Sequence, residues 1–302
     1  MNINAKMTKR IVFGLIMIAF MVGIFWLDWR FSSDSQGSPG LRGSIGTRGL
    51  PMACLFLAMI FQAIWEIRRM ALSAGLSILP VSAVVASGAM ITLPLWWQFI
   101  NPISQPNGGG ILAIMGGCVM LIFAEQMLRA STAGAFGRIA CTVLTVVYLG
   151  IAGAIVLNIR VQFGLAMLIL FLAAVKFTDI GAYFTGSFLG RHKLIAWLSP
   201  GKTWEGLAGG LLASAVVTVI LAAVMGVEVA GQRMTWIRAA GFGAAVGLAG
   251  QFGDLCESLL KRSVNIKDSG ALLPEFGGIL DILDSPLLAA PAAYGLLVSM
   301  AI

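Results

Sequence analysis

Charge is what this chain has least of: Asp, Glu, Lys and Arg together make up 11% of its 302 residues, against about 25% in soluble domains. Histidine is scarcer still, with His192 alone, which excludes multi-histidine zinc sites and leaves no obvious His-based triad. The four cysteines, Cys54, Cys118, Cys141 and Cys256, show no metal-ligand spacing and read as small core residues. No spaced-glycine phosphate loop and no internal repeat is evident. No basic patch is interleaved with aromatics, so the net charge of +7 does not point to nucleic acid.

Apolar residues are what it has instead, at 59%. A water-soluble fold cannot hide that much apolar surface, whereas a bilayer core is itself hydrocarbon. The expected fold class is therefore all-α: a polytopic helical membrane protein in contact with the lipid bilayer. Apolar runs fall at about 11–27, 50–65, 76–99, 111–128, 139–157, 161–177, 206–227, 237–252 and 279–302, each near the ~20 residues a spanning helix needs. These give nine spans, or eight if the two runs divided only by Arg160 are one. The first run reads as an uncleaved span. Six of the 20 basic residues (Arg30, Arg42, Arg48, Arg160, Arg233 and Arg238) fall outside if the N-terminus is inside, and the other 14 fall inside. That bias predicts N-in, C-out. Residues 1–175 read as about six N-terminal membrane helices, and 176–302 as the catalytic region with two inside loops and about three more. The Gly/Ser-rich stretch 32–49 reads as an external loop.

The two inside loops, about 178–205 and 253–278, hold most of the unusual polar residues. On a helix, Asp254, Glu257, Ser258, Lys261 and Arg262 share one face, with Glu257 and Lys261 at ion-pair spacing. An amphipathic surface helix would also present such a pattern. Asp281 and Asp284 share a helical face at the start of the last apolar run. Two carboxylates there suit Mg²⁺, which binds through few protein oxygens. Solvated acids at a helix N-terminus or an ion pathway would look the same. Lys176 and Asp179 read as a mutually compensating pair. The segment Ser199 to Gly206, S-P-G-K-T-W-E-G, reads as a helix start, a place that binds phosphates well. His192 reads as a loop residue.

Several of these segments resemble one family. S-x-x-K-R-x₄-K-D-x-G-x₂-L-P followed by G-G-x-x-D-x-x-D is supplied by Ser258, Lys261, Arg262, Lys267, Asp268, Gly270, Leu273, Pro274, Gly277, Gly278, Asp281 and Asp284. S-P-x-K-T-x-E-G from Ser199 to Gly206 resembles the same family, as does D-x-x-A-Y-x-x-G at Asp179, Ala182, Tyr183 and Gly186. The family is the phosphatidate cytidylyltransferases, or CDP-diacylglycerol synthases. The family's usual P-G-H-G-G-x-x-D-R-x-D differs here at Glu275, Phe276 and Ile282.

The resemblance implies an enzyme of phospholipid biosynthesis that uses CTP and phosphatidic acid to make CDP-diacylglycerol and pyrophosphate. It implies a bacterial inner-membrane protein with a cytoplasmic site, and a homodimer is compatible with it. It implies Mg²⁺, with or without a monovalent cation, held by Asp254, Asp281 and Asp284, with Asp268 supporting the metal or orienting a lysine. Lys202, Lys261, Arg262 and Lys267 would hold phosphates, and Ser199, Thr203 and Ser258 would donate hydrogen bonds to them. Asp179, Tyr183 and Glu205 would shape the nucleotide pocket. An inactive or altered-substrate relative, a CTP-dependent lipid kinase and a transporter are the alternatives.

Overall fold

A computed structural model describes residues 3–33, 49–100, 108–270 and 277–301. Most of loop 32–49, with Arg42 and Arg48, lies outside the described residues, as do Leu273, Pro274, Glu275 and Phe276.

The apolar runs become helices because a chain inside hydrocarbon must satisfy its backbone polar groups internally. In chain order they are α1 (Ile3–Ser33), α2 (Leu50–Ser73), α3 (Pro80–Ile100), α4 (Gly108–Leu128), α5 (Ala135–Thr145), α6 (Ala152–Leu189), α7 (Trp204–Met225), α8 (Trp236–Ser263) and α9 (Leu280–Ala301). A six-residue π-helical segment, Val146–Ile151, joins α5 to α6. Gly164 breaks α6 with φ 90° and ψ 173°, a conformation that glycine enters without a Cβ penalty.

This is a helical membrane protein. Among the described residues, six helical stretches are long and apolar enough to cross a bilayer: Gly14–Ser32, Leu50–Ser73, Gly109–Leu128, Ala135–Leu189, Trp204–Met225 and Leu280–Ala301. The expected runs 139–157 and 161–177 merge in the fourth of these, with the backbone break at Gly164 rather than at Arg160. Run 76–99 becomes α3, whose apolar part Pro80–Trp96 is shorter. Run 237–252 lies in α8, which is rich in glycine and alanine and ends in charged residues, so it is less apolar than the others.

The segment expected as loop 178–205 is not one. α6 continues through Leu189, and a small antiparallel ribbon follows, β1 (Lys193–Ile195) paired with β2 (Ser199–Thr203). A second ribbon, β3 (Glu228–Val229) with β4 (Gln232–Arg233), closes the turn between α7 and α8. Thr203 caps α7 by accepting from the amide of Gly206 at 3.1 Å, and Glu205 sits in the first turn, as the S-P-G-K-T-W-E-G segment predicts.

Small residues and hydroxyls hold the second half together, as membrane packing favours. Ser214 on α7 donates to the carbonyls of Ala174 on α6 (3.0 Å) and Gly243 on α8 (2.8 Å). Gly253 lets α8 meet α9: a Cβ there would lie 2.8 Å from the carbonyl oxygen of Asp284. That approach sets the neighbouring Asp254 beside the start of α9. At the far end of the chain's first helix, Asp28 is fully buried against Arg160, whose Nη2 also donates to Ser32 at 2.7 Å. Arg160 is therefore a buried element of packing and not a loop charge.

Candidate active site

Three elements meet where α6, α7 and α8 approach one another. A cavity of about 490 Å³ is lined by Asp179, Ala182, Tyr183 and Gly186 of α6, by Ser199, Gly201, Lys202 and Thr203 of β2, and by Gln251 and Asp254 of α8. Five residues expected at a nucleotide pocket or phosphate site, Asp179, Tyr183, Ser199, Lys202 and Thr203, thus share one wall system. The cavity's floor is wired together. Lys202 Nζ lies 2.6 Å from Asp254 Oδ2 and donates to the carbonyl of Gln251 at 3.3 Å. Gln251 Nε2 donates to Asp179 Oδ1 at 2.8 Å.

Asp254 belongs to a second group as well. Carboxylate oxygens of Asp254, Glu257 and Asp284 all lie within 4.8 Å of one another. Glu257 and Asp284 are buried, at 1% and 4% exposure. Glu257 Oε1 is buried without a hydrogen-bond partner among the described residues. Lysines pair with two of the three, Lys202 with Asp254 and Lys261 with Glu257, and the all-oxygen donor set suits a hard divalent ion. The donor set and the orphaned Glu257 oxygen therefore fit Mg²⁺.

Asp281 meets the same centre through Lys261. Its Oδ1 accepts from Lys261 Nζ at 2.7 Å, and its Oδ2 accepts from the Gly278 amide (2.7 Å) and from Ser269 Oγ (2.9 Å). Lys261 also pairs with Glu257 Oε2 at 2.6 Å, the i,i+4 contact that the spacing predicts. Asp281 thus holds a lysine beside Glu257 and caps α9, and Glu257 joins the expected Asp254 and Asp284 in the close cluster. Periodicity alone put Glu257 and Asp254 on one face; it could not tell which acid of α9 would meet them.

The remaining expected residues are in neither the carboxylate cluster nor the cavity lining. Glu205 accepts from the amides of Arg191 (3.1 Å) and His192 (3.2 Å) and lies 2.6 Å from His192 Nδ1, so it clamps the β1–β2 ribbon and does not line the cavity. Arg262 is exposed and donates to the carbonyl of Ile266 at 3.3 Å. Lys267 and Asp268 are exposed, and Ser258 is half-buried.

Two residues join the site without having been expected. Glu66 of α2, fully buried, accepts from Ser269 Oγ at 3.0 Å and from the amides of Ile279 and Leu280. Tyr148, in the π-helical segment, is buried and its hydroxyl has no hydrogen-bond partner among the described residues. The π-helical segment packs against α9, the helix that carries Asp284. π-Helical turns often mark functional positions, because the extra residue re-aims a side chain.

A helical membrane protein with a polar cavity and a buried carboxylate–lysine centre sharing one aspartate is the class that fold and site define. The chain belongs to the Cytidylyltransferase family, whose family model matches residues 39–300. It is 34% identical over 254 residues to the phosphatidate cytidylyltransferase of Bacillus subtilis (strain 168), covering 82% of this chain and 89% of that protein. It is 31% identical over 240 residues to the phosphatidate cytidylyltransferase of Mycobacterium tuberculosis (strain ATCC 25618 / H37Rv), covering 76% and 69%. A phosphatidate cytidylyltransferase of Helicobacter pylori (strain ATCC 700392 / 26695) is 38% identical over 157 residues, covering 51% of this chain and 56% of its own length.

Proposed function

We propose that this chain transfers the cytidylyl group of CTP to phosphatidic acid, giving CDP-diacylglycerol and pyrophosphate, at the inner face of a bacterial plasma membrane. The observation that carries the reading is the sharing of Asp254 between the cavity and the carboxylate centre. One side chain thereby touches both the place for a nucleotide and the place for a cation. Family membership and the named relatives support the same reaction.

In the reaction, an oxygen of the lipid phosphate attacks the α-phosphorus of CTP in line. The new P–O bond forms as the bond to the α,β-bridging oxygen breaks, and pyrophosphate leaves with that electron pair. The nucleophile is already an anion, so no strong base is required. That agrees with a chain whose one histidine, His192, is held by Glu205 on the exposed ribbon. Catalysis is then mostly alignment and charge neutralisation.

Asp254, Glu257 and Asp284 would hold Mg²⁺ in this reading, with Asp281 as a further acid of the same segment that fixes Lys261. When bound, the ion neutralises phosphate charge and favours the in-line arrangement. Lys202 exchanges its contact with Asp254 for the triphosphate, helped by the Ser199 and Thr203 hydroxyls. Asp179 and Tyr183 shape the nucleotide end. Lys261, anchored between Glu257 and Asp281, supplies positive charge beside the carboxylate centre. Ser258, Arg262 and Lys267 add hydroxyl and positive groups along the same segment, and Asp268 orients a neighbouring lysine. The N-in, C-out arrangement with about nine crossings sets these groups on the cytoplasmic side, where CTP is found; α3 and α8 supply the crossings beyond the more apolar helices.

The test is the product made from labelled CTP by purified protein in vesicles containing phosphatidic acid and Mg²⁺. CDP-lipid and pyrophosphate in equal amounts are expected. Release of CDP with phosphorylation of a lipid alcohol would replace the reading with a kinase. Binding of CTP without any product, across lipid variants, would make the chain a non-catalytic relative.

A further inference from the structure

Lys176 lies on α6 one helical turn before Asp179, and its contacts are the loosest of the three lysines around the site. Its Nζ is 3.8 Å from Asp179 Oδ2 and 3.5 Å from the carbonyl oxygen of Ile282. Lys202 and Lys261, by contrast, each hold a carboxylate at 2.6 Å. The Lys176 side chain is 45% exposed. An ion pair that long and that wet contributes little, so the ammonium is free to change partner.

Its position separates it from the nucleotide. Asp179 lines the cavity, whereas Lys176 is not among the described residues that do. Its other partner, Ile282, sits between Asp281 and Asp284, so the amine stands at the start of α9, against the carboxylate centre. Along α6, Ile180 and Phe184 follow Lys176 at i+4 and i+8 and so share its face, while Tyr183 at i+7 lines the cavity. Ile180 and Phe184 are both exposed. In a membrane protein an exposed aromatic and aliphatic stripe meets lipid, and a lysine at its end lays its stem on that stripe while its ammonium reaches polar surroundings.

The anion that arrives along such a stripe comes from the bilayer. We propose that Lys176 receives the phosphate monoester of the lipid substrate, while Lys202 serves the nucleotide. The inference rests on the cytidylyl-transfer reading for the identity of the site, but it concerns lipid recognition only. A monoester phosphate carries up to two negative charges and presents three terminal oxygens to a compact ammonium. A phosphodiester headgroup carries one charge and two free oxygens. Lys176 therefore favours phosphatidic acid over phosphatidylglycerol, and the favoured phosphate is delivered beside Asp284, next to the carboxylate centre, with its tails left in hydrocarbon.

The experiment has two arms on the full chain. In the first, steady-state rates are measured for wild type, Lys176→Gln and Lys176→Arg in mixed micelles. Loss of one charge-assisted contact raises KM for phosphatidic acid roughly tenfold in Lys176→Gln, leaves KM for CTP unchanged, and Lys176→Arg recovers most of the loss. An equal rise in KM for CTP, or no change in either constant, overturns the proposal. In the second arm, binding of a fluorescent phosphatidic acid to the reconstituted protein is measured without CTP, with phosphatidylglycerol as competitor. Weaker binding in Lys176→Gln, and poor competition by phosphatidylglycerol in wild type, supports the proposal; equal binding overturns it. This arm decides the role of Lys176 even if wild type makes no CDP-lipid, a result that would remove the cytidylyl-transfer reading alone. Should Lys176→Gln misfold, Lys176→Met keeps the aliphatic stem and is carried through both arms.

Discussion

The carboxylate of Glu66, in the middle of the bundle on α2, accepts hydrogen bonds from the backbone amides of Ile279 at 3.0 Å and Leu280 at 2.9 Å, at the start of α9. The first amides of a helix have no intrahelical partner, and here a side chain more than two hundred residues away supplies one. The same carboxylate takes the hydroxyl of Ser269, which also donates to Asp281. Glu66 thus fixes the entry point of the helix that carries Asp281 and Asp284.

Replacing Glu66 with Ala should leave the amides of Ile279 and Leu280 without their acceptor, each costing about 1–3 kcal/mol. The start of α9 then shifts, and turnover is expected to fall by at least an order of magnitude. Glu66→Gln keeps the volume but offers one acceptor oxygen and an NH₂ that meets donors, so it should recover only part of the rate. Glu66→Gln and Glu66→Ala should both raise the Mg²⁺ concentration for half-maximal activity, because Asp284 moves with the helix. Unchanged Mg²⁺ dependence in both variants would reduce Glu66 to a packing residue.

A wedge between α8 and α9 should act on the same geometry from the other side. A Cβ on Gly253 would meet the carbonyl oxygen of Asp284 at 2.8 Å and the Cα of Ser285 at 3.1 Å, both backbone atoms that cannot swing away. Gly253→Val is expected to push Asp254 from Asp284, lowering activity more than a hundredfold. The change should also lower the melting temperature in detergent, since overpacking costs about 1–3 kcal/mol. Gly241, whose Cβ would meet nothing within 4 Å, is the matched control. Gly241→Ala should leave both measurements unchanged.

The acids of the centre should separate by what they hold. Asp284→Asn and Glu257→Gln are expected to raise the Mg²⁺ requirement, because their oxygens form the cluster with Asp254. Asp281→Asn should lower turnover without that rise, because Asp281 holds Lys261 and the amide of Gly278 instead. Titration of Mg²⁺ or Mn²⁺ into each variant, followed by calorimetry without substrates, separates binding from rate. A loss of metal affinity in Asp281→Asn equal to that in Asp284→Asn would return Asp281 to the metal.

How much of this was legible in the residues follows from which partners are side chains. The apolar runs give nearly all the helices, because hydrocarbon forces a run of that length into one shape. Asp254, Asp281 and Asp284 read as convergent acids, since each stands at the end of an apolar run beside unusual polar residues, but the pattern does not show which of the last two lies nearest Asp254 and Glu257. Glu66 was hidden: followed by Arg68 and Arg69 at the end of a run, it looks like a solvated acid, and its true partners are backbone amides, which leave no mark in a sequence. Asp28 was hidden for the same reason of distance, its partner Arg160 being 132 residues away. Of the β1–β2 ribbon, Lys193–Ile195 falls in the expected loop 178–205 and Ser199–Thr203 in the expected helix start, because strands of three and five residues carry too little periodicity to register. Gly164 gave no warning either, since an isolated glycine is common in membrane helices.

Tyr148 offers the sharpest separation between a structural and a functional side chain. Its hydroxyl is buried without a partner among the described residues, in a π-helical segment packed against α9. A buried donor that stays unpaired costs about 1–3 kcal/mol, so Tyr148→Phe should leave the metal-free, substrate-free protein as stable as wild type or more so. If the hydroxyl finds its acceptor only when the centre is filled, the same change should lower turnover about tenfold, the loss of roughly 1.4 kcal/mol in the transition state. The two measurements move in opposite directions, which a packing role cannot produce. A melting temperature that falls in step with activity would make Tyr148 a core residue, whereas stability kept and rate lost would make its hydroxyl part of the catalytic centre.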